Sequence, residues 1–252
     1  MSLSVLMISR NVEKLVGEAL ASVNGLWDEL LVGDAGSTDG TAGIVEKYGG
    51  RLIKQRGSNL GKRKQELVEK AKSNWILVLD SDERVSPELA REIKRTVRPA
   101  FGNQEIVAHR IPYQNYVFGK PVYYGGEKYS KVRLFRKEFG KVATVPLHEE
   151  IVIRGKIGQL FGVIHHHSYR TPWQLFTKFT KYARLDAKLK HAAGEKVTWQ
   201  KIFLYGPHLF WARFVQDKGY RDGWRGLILA FAFGYLEGLT YCFLFFRKIL
   251  LR

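Results

Sequence analysis

The apolar positions in the first hundred residues change period in a regular way. Leu3-Ser4-Val5-Leu6-Met7-Ile8 is a short, nearly continuous apolar run, as a parallel strand buried on both faces requires. Val12, Leu15, Val16, Ala19, Leu20 and Val23 then recur at i, i+3, i+4, i+7, i+8 and i+11, one apolar stripe on a helix. The alternation continues with a strand over 29–32, a polar glycine-rich turn over 33–40, and a helix over 41–48. A strand over 51–55, a helix over 61–71 and a strand over 75–79 follow. Repeated βα units imply a parallel sheet with helices on both faces, and ligands of such sheets bind beyond the carboxyl ends of the strands. Asp34 and Asp80 sit at such ends.

Another helix is expected over 87–97, and then the rhythm shortens to strand-like pieces at 106–113, 132–135, 151–153 and 163–166. Beyond Arg170 the chain turns helical. Residues 173–193 carry Leu175, Phe176, Phe179, Tyr182, Ala183 and Leu189 among Lys178, Lys181, Arg184, Lys188 and Lys190, a basic amphipathic pattern. Gly206-Pro207 is expected to interrupt a second, aromatic-rich stretch. Residues 226–246 hold Glu237 as their only charge and are flanked by Arg221, Arg225, Arg247, Lys248 and Arg252. As one helix they would be about 31 Å long, enough to reach across a hydrocarbon core. A charge near the middle costs roughly 3 kcal/mol on insertion, and Gly234 and Gly238 weaken the segment further. The expectation is a helix in the membrane interface or a packed hairpin; a soluble core helix or an oligomer contact is the alternative. The division expected is 1–170, in two parts over about 1–100 and 101–170, followed by a basic helical region over 171–252.

Composition narrows the class. A 252-residue chain that is 45% apolar and 13% aromatic buries a sizeable core and is not a disordered tail. The single cysteine, Cys242, excludes an intrachain disulfide and suits a reducing compartment. The first residues run into a strand pattern without a basic segment or small-residue cleavage site, so no signal peptide is expected. Of the net charge of +17, +12 falls in 151–252, where 17 Lys and Arg face five Asp and Glu. Nucleic acid, anionic lipid and a phosphate-bearing substrate all suit such a field. The sequence has no zinc-knuckle spacing, RNP-type aromatic signature or helix-turn-helix pattern, so nucleic acid is not the expected partner.

Asp80-Ser81-Asp82 is the most specific chemical feature. Two carboxylates one residue apart at the end of a buried strand hold a hard divalent cation, which in turn neutralises a diphosphate. The alternative is an acidic turn that caps the next helix. His165, His166 and His167 cannot all address one metal from a strand, because neighbours alternate faces.

Ser9-Arg10-Asn11, Gly33-Asp34-Ala35-Gly36-Ser37-Thr38-Asp39-Gly40-Thr41 and Leu79-Asp80-Ser81-Asp82-Glu83-Arg84-Val85-Ser86-Pro87 resemble the GT-A glycosyltransferases of family 2, in particular the lipopolysaccharide core β-glucosyltransferase type. Arg133-Leu134-Phe135-Arg136-Lys137, Leu147-His148-Glu149, His166 with Tyr169-Arg170, and Asp222-Gly223-Trp224-Arg225-Gly226 extend the resemblance. It implies an α/β fold of GT-A type, a Rossmann-like, mostly parallel sheet, with a C-terminal helical membrane-associating region. It also implies a nucleotide-sugar donor at the carboxyl edge. Asp82 would coordinate Mg²⁺ or Mn²⁺, and Asp80 would reach the ribose or a metal-bound water. Asp34 would lie beside the nucleoside, with Ser9 and Asn11 also binding the donor; Lys64 would contact the diphosphate or else lie on a solvated helix face, and Arg133 and Arg136 would face the donor diphosphate or an acceptor phosphate. His166 would touch the metal or the diphosphate, or else be a core histidine. Asp39 would cap the helix after it or contact ligand. Glu149 would be the general base of an inverting transfer, with Glu150 pointing elsewhere; the alternative is a structural ion pair with Arg133 or Arg136. Ala35 departs from the two consecutive acids common in the family and leaves base recognition open.

The reading is a metal-dependent inverting transferase moving a hexose, with glucose from UDP-glucose as the expected donor. The acceptor is a membrane-borne glycan or glycolipid such as lipopolysaccharide core. The expected location is the cytoplasmic face of the inner membrane, as a peripheral or monotopic protein, with self-association through the C-terminal helices as an option. The competitors are transfer to a polyprenyl phosphate, a basic nucleic-acid-binding protein, and a nonenzymatic membrane scaffold.

Overall fold

The computed structural model describes residues 2–57, 59–98, 105–144 and 150–250, with residues 249 and 250 as backbone only. Two compact units divide the chain: residues 1–113 with 129–166, and residues 114–128 with 167–252.

In the first unit, β1 (Leu3–Ser9), β2 (Glu29–Asp34), β3 (Arg51–Lys54) and β4 (Trp75–Val78) lie parallel in the order β3-β2-β1-β4. Their residues alternate between two cores. Val5, Met7, Val32 and Leu77 face α1 (Glu13–Ser22) and α4 (Pro87–Thr96) through Val16, Leu20, Leu89 and Ile93. Leu6, Leu31, Ile76 and Val78 instead meet Leu67 and Val68 of α3 (Leu60–Lys70). Burial on both faces is why these strands read as continuous apolar runs. The remaining helix of the parallel half, α2 (Thr41–Lys47), follows β2.

Beyond β4 the sheet turns antiparallel. β8 (Ser130–Arg136) pairs with β4, and β6 (Ile106–Val117) pairs with β8. The order then continues through β12 (Ile164–Tyr169) to β5 (Glu83–Val85). β11 (Lys156–Gln159) runs parallel to β6, while β9 (Gly140–Val142) and β10 (Ile151–Ile153) form a separate pair. The acidic turn therefore does not enter a helix directly. Glu83 N donates to Asp80 O (3.0 Å), and β5 intervenes before Ser86 Oγ caps α4 by accepting from Leu89 N (3.2 Å). A three-residue strand leaves too little periodicity to find in the sequence.

In the second unit, β7 (Lys120–Val122) closes a hairpin with the end of β6, and three helices follow: α5 (Pro172–Ala192), α6 (Trp199–Trp211) and α7 (Gly223–Leu250). Val117, Val122, Leu175, Phe179, Leu229 and Ala232 form its main core. The expected break at Gly206-Pro207 does not occur, for α6 runs through Pro207. The proline forgoes one backbone bond, but tertiary packing offsets it. A Cβ on Gly206 would lie 2.8 Å from Gly234 O and one on Gly234 2.7 Å from Gly206 O, so α6 and α7 meet backbone to backbone. The irregularity falls later, in a π turn over Ala212–Gln216. Among the described residues, Gly219–Lys248 is the one helical stretch long and apolar enough to cross a membrane, judged by length and composition.

Gly162 tests the packing. A Cβ there would stand 2.4 Å from Leu89 N and 2.5 Å from its Cα, backbone atoms that cannot move cheaply. Gly162→Ala should cost about 1–3 kcal/mol in urea unfolding. Gly43, inside α2 with nothing within 4 Å of an added Cβ, serves as the control: Gly43→Ala should be neutral or stabilising by up to about 1 kcal/mol.

Candidate active site

The site is assembled at the carboxyl edge of β1, β2 and β4. At the end of β2 the Asp34 carboxylate organises its own turn. It accepts from Ser9 Oγ (2.9 Å), Gly36 N (3.0 Å), Ser37 N (2.8 Å) and Ser37 Oγ (2.5 Å). Burial pushes its pKa up, but the bonds from Ser37, Ser9 and Gly36 outweigh that and leave it below the ordinary value. Asn11, in the left-handed region at φ 52°, joins the same turn: its Oδ1 accepts from Thr38 N (2.8 Å) and its N donates to Ser37 Oγ (2.9 Å). Ser9, Asn11 and Asp34 are thus brought together as predicted.

Asp39 has a different use. One oxygen accepts from Thr41 N (3.1 Å) and Thr41 Oγ1, the other from Glu13 N (3.1 Å), while Glu13 Oε2 accepts from Gly40 N (3.1 Å). This reciprocal capping ties the first turns of α1 and α2 together.

Two cations of α3 point into the sheet edge. The stripe Lys64, Leu67, Val68 and Ala71 follows helical spacing, so Lys64 lies on the buried face, and Arg63 flanks it; both are 6% exposed. Arg63 donates to Ser9 O (3.1 Å), Gly33 O (2.8 Å) and Gln55 Oε1 (3.1 Å), joining the ends of β1 and β2. Sequence reasoning missed Arg63, although a charged residue beside an apolar stripe was the available signal.

Lys64 Nζ lies 2.8 Å from Asp80 Oδ1, and Arg133 Nη2 lies 2.9 Å from Asp80 Oδ2 and 2.7 Å from Glu83 Oε1. Glu83 completes the cluster: Oε2 accepts from Asp80 N (2.9 Å) and Oε1 from Tyr113 Oη (2.9 Å), which itself accepts from Arg133 Nε. Two cations balance two carboxylates, which is what makes burial of Lys64, Glu83 and Arg133, none more than 9% exposed on its side chain, tolerable. Burial acts to raise the Asp80 pKa, but the adjacent Lys64 and Arg133 charges win and hold it well below the ordinary 3.8. Burial drives the Tyr113 hydroxyl well above 10.0, keeping it a donor.

Asp82 Oδ2 stands 3.6 Å from His166 Nε2, both side chains partly exposed, and the His166 ring meets Tyr113 edge-on at 5.8 Å. His165 pairs in register with Arg84 and His167 stacks on Tyr116 at 4.5 Å, so the three histidines diverge as alternation demands. Asp82 and His166 would offer a divalent cation one carboxylate oxygen and one imidazole nitrogen. Among the described residues no group of three or more His, Cys, Asp or Glu is gathered for a metal. Both Asp80 oxygens face cations, Lys64 on one side and Arg133 on the other. Arg136 is not brought to this edge. β8 runs antiparallel to β4, so Arg136 sits opposite Trp75 at the other end, its guanidinium 5.4 Å from the Trp75 ring centre. Glu149 and His148 lie outside the described residues.

The profile of Glycosyl transferase family 2 matches residues 4–161, and the chain belongs to that family: it is a glycosyltransferase with an α/β fold of GT-A type. Lipopolysaccharide core biosynthesis glycosyltransferase LpsC of Rhizobium meliloti is 28% identical over 98% of this chain and 91% of its own length. An uncharacterized glycosyltransferase of Rickettsia typhi is 28% identical over 77% of this chain and 70% of its own. Among solved structures, glucosyl-3-phosphoglycerate synthase from Mycobacterium tuberculosis, in complex with Mn²⁺ and UDP-glucose, is 21% identical at a TM-score of 0.37. That match covers 45% of this chain and 44% of the solved one, too little to bear on function.

Asp80→Asn tests the electrostatics. A carboxyl whose folded pKa is depressed contributes stability that is complete above its unfolded value and is lost as pH falls through the folded one. The stability gap between the parent and Asp80→Asn should stay constant from neutral pH down to about pH 5 and narrow below the ordinary 3.8, read by urea unfolding at each pH. Glu83→Ala, which leaves Lys64 and the buried Arg133 with Asp80 as their one carboxylate partner in the cluster, should cost about 3–5 kcal/mol.

Proposed function

We propose that this glycosyltransferase moves a hexose, glucose from UDP-glucose in the first instance, to a glycan or glycolipid acceptor such as lipopolysaccharide core, with inversion at the sugar carbon. The observation that carries the proposal is the convergence of Lys64, Arg133, Asp80, Asp82 and His166 at the carboxyl edge of β4 in a family 2 chain. The similarity to a lipopolysaccharide core glycosyltransferase over nearly the whole chain supports the acceptor class.

Asp82 and His166 would hold Mg²⁺ or Mn²⁺, which when bound neutralises the departing diphosphate. Lys64 and Arg133 supply fixed positive charge at the same edge, oriented before the donor arrives by Asp80 and Glu83. The Asp34 turn receives the nucleoside. Glu149 accepts the proton of the attacking acceptor hydroxyl; that oxygen bonds to the sugar carbon as the bond to the diphosphate breaks. Residues 171–252 associate with the anionic cytoplasmic face of the inner membrane, combining basic charge with exposed aromatics.

Thermal unfolding with UDP-glucose, GDP-mannose or UDP, each with and without Mn²⁺, tests the donor. The midpoint should rise with uridine ligands, and more with Mn²⁺; no rise with any nucleotide would overturn the reading. Asp82→Ala and Glu149→Gln should each lower transfer by about 10²–10⁴-fold without lowering the melting midpoint. Full activity in either variant removes that residue from its role.

A further inference from the structure

The second unit contains a groove of about 380 Å³ where α6 and α7 meet. Gly206, Gly234 and Gly238 line it with bare backbone, and Pro207, Phe210 and Phe231 line it with apolar side chains. Tyr235 contributes its ring, while its hydroxyl is 2.9 Å from Thr180 Oγ1 on α5. The side chains therefore offer a ligand an apolar surface and no charge.

The surroundings indicate what fills it. On α6, Trp199, Phe203, Pro207 and Phe210 fall at helical spacing on one face, and Trp199 and Phe203 are 64% and 65% exposed. On α7, Leu227, Phe231, Gly234 and Gly238 do the same, with Phe231 58% exposed. Aromatic side chains of this size, exposed along both helices that form an apolar groove, suit the boundary between headgroups and acyl chains. Arg221 and Arg225 precede the apolar part of α7, and Arg247 and Lys248 follow it. A second copy of the chain would bring the same positive field against itself, whereas an anionic lipid offsets it.

We infer that this groove takes an acyl chain of an anionic phospholipid drawn from the bilayer. The inference rests on the membrane reading above and adds a defined chain-binding site to it. Gly238 gives a handle: a Cβ there meets nothing nearer than Gly206 Cα at 4.0 Å, so the first atom of a side chain is accommodated, and Gly238→Leu extends from it into the groove that Gly238 lines.

The full-length protein is mixed with vesicles of phosphatidylglycerol, or of phosphatidylcholine, that carry a trace of the same lipid with a photoreactive group on its acyl chain; labelled peptides are then mapped. Labelling should concentrate on α6 and α7, favour phosphatidylglycerol, and fall about tenfold in Gly238→Leu, the worth of roughly two buried methylenes. The melting midpoint of the variant and its shift with UDP-glucose and Mn²⁺, both measured without lipid, should match the parent. Labelling spread evenly along the chain, or unchanged in Gly238→Leu, overturns the site. So does a dimer in solution that Gly238→Leu dissociates. A donor-induced shift that survives while vesicle binding is absent rejects the lipid site and leaves the transferase reading standing; loss of the donor shift in the parent rejects the latter on its own.

Discussion

The buried ion cluster at the end of β4 is the constraint on which the catalytic unit depends. Glu83 accepts from Asp80 N, Arg133 and Tyr113, and these groups come from β4's end, β8 and β6, while Lys64 arrives from α3. One set of contacts therefore joins the parallel half of the sheet to its antiparallel half and also aligns positive charge with the carboxyl edge. The cluster is neutral as a whole, so the fold can bury it, but removing any member leaves an unbalanced charge in low dielectric. Stability and chemistry are coupled here through the same atoms.

Much of this was legible from the chain. Alternation of Val5, Leu6 and Met7, or of Ile76 and Leu77, fixes strands buried on two faces, and the two cores follow directly. Ser9, Asn11, Asp34, Lys64, Asp80 and Asp82 lie at or near the carboxyl edge because motif order along βα units dictates it, whereas Arg133 and His166 reach it from the antiparallel strands β8 and β12. The misplaced residue, Arg136, violates a rule the sequence already contains: positions three apart on a strand point to opposite faces and stand about 10 Å apart, so Arg133 and Arg136 cannot serve one phosphate. What the sequence could not reveal was partner choice. That Asp80 spends both oxygens on Lys64 and Arg133 depends on helix α3 rolling its basic residues inward, a tertiary outcome.

The same limit explains α6. Gly206-Pro207 is a strong local breaker, yet Gly234 and Gly238 lie far away in sequence and supply the close approach that keeps the helix intact. Local propensity is a weak prior beside such packing. The glycines that weakened a membrane-spanning reading of α7 are those that shape its groove with α6.

The acidic residues of the donor edge divide by how firmly the fold already holds them. Asp34 is bonded by its own turn, and Asp39 by the starts of α1 and α2. Neither needs a ligand to be oriented, so the loop between β2 and α2 is shaped by the fold itself, and any ligand of the loop would meet little ordering cost. Ala35 fits this arrangement, since its backbone N–H donates to Ser9 O (3.1 Å) and ties β1 to β2. With alanine there, the carboxylate available to a nucleoside at the end of β2 is that of Asp34, and its position is set by Ser9, Gly36 and Ser37. Altering those three neighbours would displace the acid as surely as replacing it, which makes the turn as a whole the unit that sets the position of Asp34.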